Sequence, residues 1–224
     1  LIGGDFTTYN GTARNRIVRI NSNGSLDTSF DPGTGLGTGA GISVVSMALQ
    51  GDGNILIGGN FSTYNGTARN RIARLNTTGG IDLTFDPGTG ANSTVNAITL
   101  LPDGRILVGG AFTTYNSAAR SRVARLSTVG GLDPGYDPGT GADSTVFAIK
   151  LQPDGQFLMG GDFMSYNGVG RNRLARIQSC ECAVGAVCND NNACTTNDVI
   201  GANCFCTGTF ADADGDGTCD ANDL

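Results

Sequence analysis

Histidine and tryptophan are absent from the 224 residues of this chain, and lysine and glutamate occur once each, as Lys150 and Glu181. Without histidine the chain lacks the commonest general base and the commonest metal ligand. No apolar run approaches the length of a membrane span. No secretory leader is visible, and the chain opens on Leu1 inside a repeated phrase, so it reads as a piece of a longer polypeptide. Two further absences divide the sequence. Residues 1–177 contain no cysteine, and residues 178–224 contain no lysine or arginine. The first part carries 12 acidic and 14 basic residues; the second carries 8 acidic ones and all seven cysteines. Two domains with different stabilising devices are expected, 1–177 and 178–224.

What fills the first part is a repeated phrase. LIGGDFTTYNGTARNRIVRI at 1–20 returns as LIGGNFSTYNGTARNRIARL at 56–75, LVGGAFTTYNSAARSRVARL at 107–126 and LMGGDFMSYNGVGRNRLARI at 158–177, at offsets of 55, 51 and 51 residues. A period of this size marks a supersecondary unit stacked on copies of itself. Within one unit, VNAITL, RILVGG and SRVARL read as short strands, the last alternating as a half-buried strand does. LPDG and LDPGYDPGTG read as turns, and AFTTYNSAAR as a polar loop or hairpin tip. No segment carries a helical period. The expected fold is all-β, with propeller blades of three or four strands; a β-solenoid is the rival, disfavoured by the long polar inserts. The Gly-Gly strand occurs four times and the strand before it three times, which gives a partial ring of about three and a half blades.

The glycine pairs (Gly3–Gly4, Gly58–Gly59, Gly109–Gly110, Gly160–Gly161) should mark bulges or close approach of a neighbouring backbone. Phe6, Phe61, Phe112 and Phe163, with Tyr9, Tyr64, Tyr115 and Tyr166, are expected to pack between blades rather than to stack on a ligand. Twelve of the fourteen basic residues form triplets: Arg14, Arg16, Arg19; Arg69, Arg71, Arg74; Arg120, Arg122, Arg125; Arg171, Arg173, Arg176. Aspartates recur with them, such as Asp82 and Asp86 or Asp133 and Asp137. Structural pairing to carboxylates and turn carbonyls is expected, with at least one arginine of each triplet buried and Arg71 a representative. The alternative, a polyanion-binding ring, suits a clear basic excess, which is missing; nucleic acid is therefore not an expected partner.

The phrase DGNILIGGNFSTYNGTARNRIARLNTTGGIDLTFDPGTG, residues 52–90, resembles the delta-60 repeat of large secreted bacterial proteins. That resemblance spans most of the chain and implies a propeller in a secreted or cell-surface setting, without supplying a catalytic site. The chain departs from the pattern in an insertion around residues 36–43 and in Pro134–Gly135.

The second part carries the recognisable ligand chemistry. ADADGDGTCDANDL sets Asp212, Asp214, Asp216, Asp220 and Asp223 at positions 1, 3, 5, 9 and 12 of a loop, with Gly217 for the turn and the carbonyl of Thr218 at position 7. Oxygen donors at this spacing suit Ca²⁺, the expected cofactor. A solvated acidic terminus is the plain alternative. The absence of flanking helices argues against an EF-hand, and the segment looks like a thrombospondin type-3 repeat. CNDNNACTTNDVIGANCFCTGTF at 188–210 is similar to Cys-rich segments that precede such repeats in surface proteins of the Bacteroidota. There Asp190, Asn192 and Asp198 are candidates for a second calcium, with local Asx turns as the alternative. Cys180, Cys182, Cys188, Cys194, Cys204, Cys206 and Cys219 lack the spacing and histidines of a zinc site. Disulfides in an oxidising compartment are expected, with connectivity open.

No catalytic residue stands out. The expectation is a non-enzymatic extracellular structural or adhesion module of a large bacterial surface or secreted protein, with a place in a fibre as one expected setting. A carbohydrate-binding propeller using the YNG loops is the alternative, and a secreted enzyme the third reading. Expected partners are other domains of the same long chain, other surface proteins, identical chains or glycans.

Overall fold

The computed structural model describes residues 1–37 and 39–177, together with two backbone strands at 195–200 and 206–210. The described residues are all-β, as the repeat pattern predicts. The first repeat holds β1 (Ile2–Gly3), β2 (Thr8–Tyr9), β3 (Thr12–Ala13) and β4 (Ile17–Val18). The second holds β5 (Ser43–Leu49), β6 (Ile55–Asn60), β7 (Thr63–Tyr64), β8 (Thr67–Ala68) and β9 (Ile72–Leu75). The third holds β10 (Val95–Leu100), β11 (Ile106–Gly110), β12 (Thr114–Tyr115), β13 (Ala118–Ala119) and β14 (Val123–Leu126). The fourth holds β15 (Val146–Leu151), β16 (Phe157–Gly161), β17 (Ser165–Tyr166), β18 (Val169–Gly170) and β19 (Leu174–Ile177).

Repeats two to four each build a three-stranded antiparallel sheet, in the orders β5-β6-β9, β10-β11-β14 and β15-β16-β19. The Gly-Gly strand is central in each. In the first repeat the corresponding sheet has two described strands, β1 paired with β4. The polar loop folds as a small hairpin in every repeat, such as β7-β8. Its tip is Asn65–Gly66 at φ 50° and 77°. Two successive left-handed residues make the turn whose twist matches a two-residue hairpin, and Asn-Gly supplies them cheaply.

Each glycine of the pair has its own reason. A Cβ on Gly58 would meet Val95 Cγ1 at 2.8 Å and Ile98 Cδ1 at 3.0 Å, side chains of the next repeat. A Cβ on Gly59 would meet the Ser43 carbonyl oxygen at 2.1 Å, beside the bulge between Val44 and Ser46 on β5. Gly109 and Gly110 repeat this division, against Val146 and Ile149 on one side and the Thr94 carbonyl on the other. The first glycine admits the neighbouring sheet; the second admits the bulge in its own.

The core lies between sheets. One cluster joins Ile17 and Phe30 of the first repeat to Ile55, Ile57, Phe61 and Tyr64 of the second. The next joins Leu56 and Ile72 of the second to Ile106, Val108, Phe112 and Tyr115 of the third. Alternate residues of β6 thus face opposite neighbours. This corrects the half-buried expectation for the arginine-rich strand: Val123, Ala124, Arg125 and Leu126 are all buried. The strand has a sheet on each face, and its arginine is paired rather than solvated. The inter-blade reading of the aromatics is met in the middle of the array, where Phe61, Tyr64, Phe112 and Tyr115 have no more than 1% exposure.

Contacts divide the chain into two units, Leu1–Asp133 with Pro138–Ile177, and Pro134–Asp137 with Gln178–Leu224. In the second, β20 (Thr195–Ile200) pairs antiparallel with β21 (Cys206–Phe210), with a register shift between Thr196 and Val199. No sequence signal was read as this hairpin.

Candidate functional site

Three arginine positions per repeat have three different fates. The third joins consecutive repeats. Arg74 donates from Nε to Asp82 Oδ2 at 2.7 Å, from Nη2 to Thr84 Oγ1 at 3.0 Å and from Nη1 to the Thr128 carbonyl of the next repeat at 2.7 Å. Its guanidinium carbon also lies 5.1 Å from the centre of the Phe85 ring, within cation–π range. Arg19 makes the same set with Asp27, Ser29, the Thr77 carbonyl and Phe30. Arg125 pairs with Asp133 at 2.7 Å, and Arg105, outside the triplets, reaches the same carboxylate at 3.0 Å. The fourth repeat departs from the expectation that each triplet buries an arginine. Arg171, Arg173 and Arg176 are all exposed, and Arg176 bonds Gln152 and Asp154 of its own repeat.

The carboxylates are tuned accordingly. The Ser29 hydroxyl and Arg19 hold Asp27 down to about 2. Burial pushes Asp82 up, but the Thr84 hydroxyl and amide, with Arg74, bring it below the usual carboxylate range. The Arg105 guanidinium lowers Asp103 in the same way. Burial pushes the Tyr64 and Tyr115 hydroxyls up, and each donates to a glycine carbonyl fifteen residues on, Gly79 at 2.6 Å and Gly130 at 2.8 Å.

The second arginine of each triplet is left-handed: Arg16, Arg71, Arg122 and Arg173 have φ of 70°, 68°, 69° and 71°. Such a backbone is uncommon outside glycine, Asn and Asp. It lets the residue close the hairpin with both backbone groups: Arg71 N–H donates to the Phe61 carbonyl and its own carbonyl accepts from Gly59 N–H, at 2.9 and 3.0 Å. The side chains differ. Arg16 reaches the Asp5 and Gly39 carbonyls, Arg122 the Ala111 carbonyl, and Arg173 the Asp162 carboxylate. Arg71 makes no side-chain hydrogen bond among the described residues, and its Nε is buried without a partner. The structural role expected of Arg71 belongs to Arg74.

Arg71 opens instead onto a cleft of about 360 Å³ between the second and third repeats. The DPGTG turn of one repeat docks there on the hairpin tip of the next. Asn116 Oδ1 accepts from Thr89 N–H at 3.1 Å, Asn116 N–H donates to the Gly90 carbonyl at 2.8 Å, and Asn70 Nδ2 donates to the Thr89 carbonyl at 2.9 Å. Asn70, Arg71, Thr89, Asn92, Thr114 and Ser117 supply the polar walls. No carboxylate lines the cleft. Sequence reading missed it, because the residues come from three separated segments.

The sites expected in the second part lie elsewhere. Asp212, Asp214, Asp216, Thr218, Asp220 and Asp223 are outside the described residues, as are Asp190, Asn192, Cys180, Cys182, Cys188, Cys194, Cys204 and Cys219. Asp198 falls within β20 and Cys206 opens β21. Among the described residues, no group of three or more carboxylates and cysteines is placed to hold a metal.

No curated protein matches the chain, and no solved structure does. A family profile matches residues 1–30, 50–85, 101–136 and 152–179, more than half the chain and one segment in each repeat. The chain therefore belongs to the β-propeller family described as a domain of unknown function, DUF5122.

Proposed function

We propose that this chain is a non-enzymatic structural and adhesion module of a large bacterial surface or secreted protein. In this reading its DUF5122 repeats are of the delta-60 kind, followed by a disulfide-rich, calcium-stiffened spacer. The observation that carries it is the use of the recurring charges: Arg19, Arg74 and Arg125 are each paired with an aspartate, and the first two clasp the next repeat. These groups hold an array together and leave no poised acid–base pair among them. The tail's D-x-D-x-D-G spacing, with no cationic side chain near it in sequence, supports Ca²⁺ bound by Asp212, Asp214, Asp216, Asp220, Asp223 and the Thr218 carbonyl. Seven cysteines in so short an acidic segment support export to an oxidising compartment. Brief protease treatment of intact cells that make the full-length protein is the test. Release of peptides from this chain, and loss of surface attachment when its coding segment is deleted, are expected. Protection from protease in intact cells, with release only after lysis, would sink the reading.

A carbohydrate-binding propeller is the second reading, and the polar cleft beside Arg71 is the observation that favours it.

A further inference from the structure

Consecutive repeats meet through one recurring junction, and the junction between the second and third repeats departs from the other two in three ways. First, its guanidinium differs: all three arginines leave Nε without a partner, but Arg16 and Arg122 bond backbone carbonyls through their terminal nitrogens, whereas the Arg71 side chain makes no hydrogen bond among the described residues. Second, its wall carries a neutral polar side chain, Asn92, where the first junction has Gly37 and the next has Asp143. Asn92 accepts from Thr113 and Thr114 N–H at 2.8 and 3.1 Å. At the next junction Asp143 takes that position, accepting from Met164 N–H at 2.9 Å and the Ser165 hydroxyl at 3.0 Å. Third, its hairpin tip is Asn116–Ser117, where the other three repeats have glycine (Gly11, Gly66, Gly168). Ser117 sits at φ 65°, a backbone that disfavours any side chain. A strained residue repeated nowhere else, whose side chain lines the cleft, is the kind of outlier from which a functional role is inferred.

We propose that this cleft binds the carboxylate of an acidic sugar, a hexuronate unit of a polysaccharide. A lone planar guanidinium matches a carboxylate through two parallel hydrogen bonds. Phosphate and sulfate sites instead gather several donors or a helix N-terminus, and this cleft offers one cation. Among the described residues the hydroxyls of Thr114 and Ser117 make no hydrogen bond, which leaves them to ring hydroxyls of the sugar. Gly90 and Ala91 are the only other lining residues, so the cleft has no apolar pocket for a peptide side chain. Asn92 is the specificity-determining position. It keeps a carboxylate out of the wall, where Asp143, held ionised by the Ser165 and Met164 amides, would repel an acidic ligand. The cleft's chemistry does not depend on the module being surface-exposed or calcium-stiffened.

The test uses the whole chain, with chelator present so that calcium bridging does not contribute. A galacturonate trisaccharide, its methyl ester and the neutral galactose trisaccharide are titrated by calorimetry. Binding of the uronate, at least about tenfold tighter than either neutral sugar, is expected for a charge-assisted contact. Arg71→Gln and Asn92→Asp should each abolish that preference. Asn92→Asp should melt like the parent, since Asp143 already holds the same position with the same backbone donors. Equal binding of acid and ester, no binding of the uronate, unchanged uronate binding by folded Asn92→Asp, or a C-terminal tripeptide bound as tightly as the uronate would each overturn the proposal.

Discussion

The guanidinium of Arg74 donates to the carbonyl of Thr128 at 2.7 Å, across 54 residues of chain. The same guanidinium holds Asp82, so one side chain ties its own strand, its own turn and the next repeat's turn. Arg74→Ala would leave Asp82 facing a largely buried gap and free the Thr128 carbonyl. A loss of about 3 kcal/mol is expected, as for other broken buried pairs. The matching substitution in the fourth repeat, Arg176→Ala, removes a side chain that is 51% exposed and should cost under about 1 kcal/mol. Urea unfolding of both variants checks the contrast; equal losses would contradict it.

The glycine pair separates two kinds of crowding. Gly58→Ala presses on the movable ends of Val95 and Ile98 and should cost about 1–3 kcal/mol, the range for overpacking. Gly59→Ala presses on the backbone oxygen of Ser43, which cannot swing aside, and should cost more. Among the described residues, Gly160 has its nearest such neighbour at 3.9 Å, so Gly160→Ala should be close to neutral. Thermal melts of the three variants would show the order, and a costly Gly160→Ala would contradict it.

Acid stability follows from the lowered aspartates. Their folded values lie below the unfolded value of about 3.9, so the folded state binds protons less readily than the unfolded one. That stabilisation is full above the unfolded value and is lost as pH falls from about 4 toward the Asp27 value of about 2. Urea midpoints should therefore be flat from neutral pH to about 5 and fall below about 4. Asp82→Asn should start lower and show a shallower fall, because it removes one of the groups responsible. A midpoint that rises on acidification would reverse the sign.

Ser117→Gly should stabilise the chain by about 1 kcal/mol, since a left-handed backbone costs a non-glycine residue roughly that much. The same substitution removes a hydroxyl from the proposed sugar cleft and should weaken uronate binding. Calorimetry and thermal unfolding on one preparation would show the two effects moving in opposite directions.

Much of this was legible in the repeat phrase. The Gly-Gly strand, the YNG hairpin tip and the DPGTG turn carry their backbone requirements in residue type, so the sheet order could be anticipated. The structural pairing of arginine with aspartate was legible too, through the constant spacing of Arg74 to Asp82 and Arg125 to Asp133. Which arginine pairs was not. Arg71 and Arg74 look alike in sequence, and the structure separates them: Arg71 has a left-handed backbone and lines the cleft, while Arg74 pairs with Asp82. Alternation of polar and apolar residues points to a half-buried strand, and it does not reveal that β14 has a sheet on both faces and buries Val123, Ala124, Arg125 and Leu126 alike. The cleft was invisible because the residues that set it apart, Asn92 and Ser117, look like ordinary variation until the three junctions are laid side by side.

The interleaved cores have a consequence for how the array comes apart. Leu56 and Ile57 are neighbours in β6, yet they belong to clusters shared with different repeats. No repeat owns a core, so none has a folding free energy apart from its neighbours. Such arrays behave as nearest-neighbour chains, in which loss of one unit strips a face from the next. Opening of one sheet should therefore be felt in its neighbour: a substitution that unpacks β11 at Val108 is expected to speed amide exchange at Leu56 and Ile72 of the second repeat, which share its cluster.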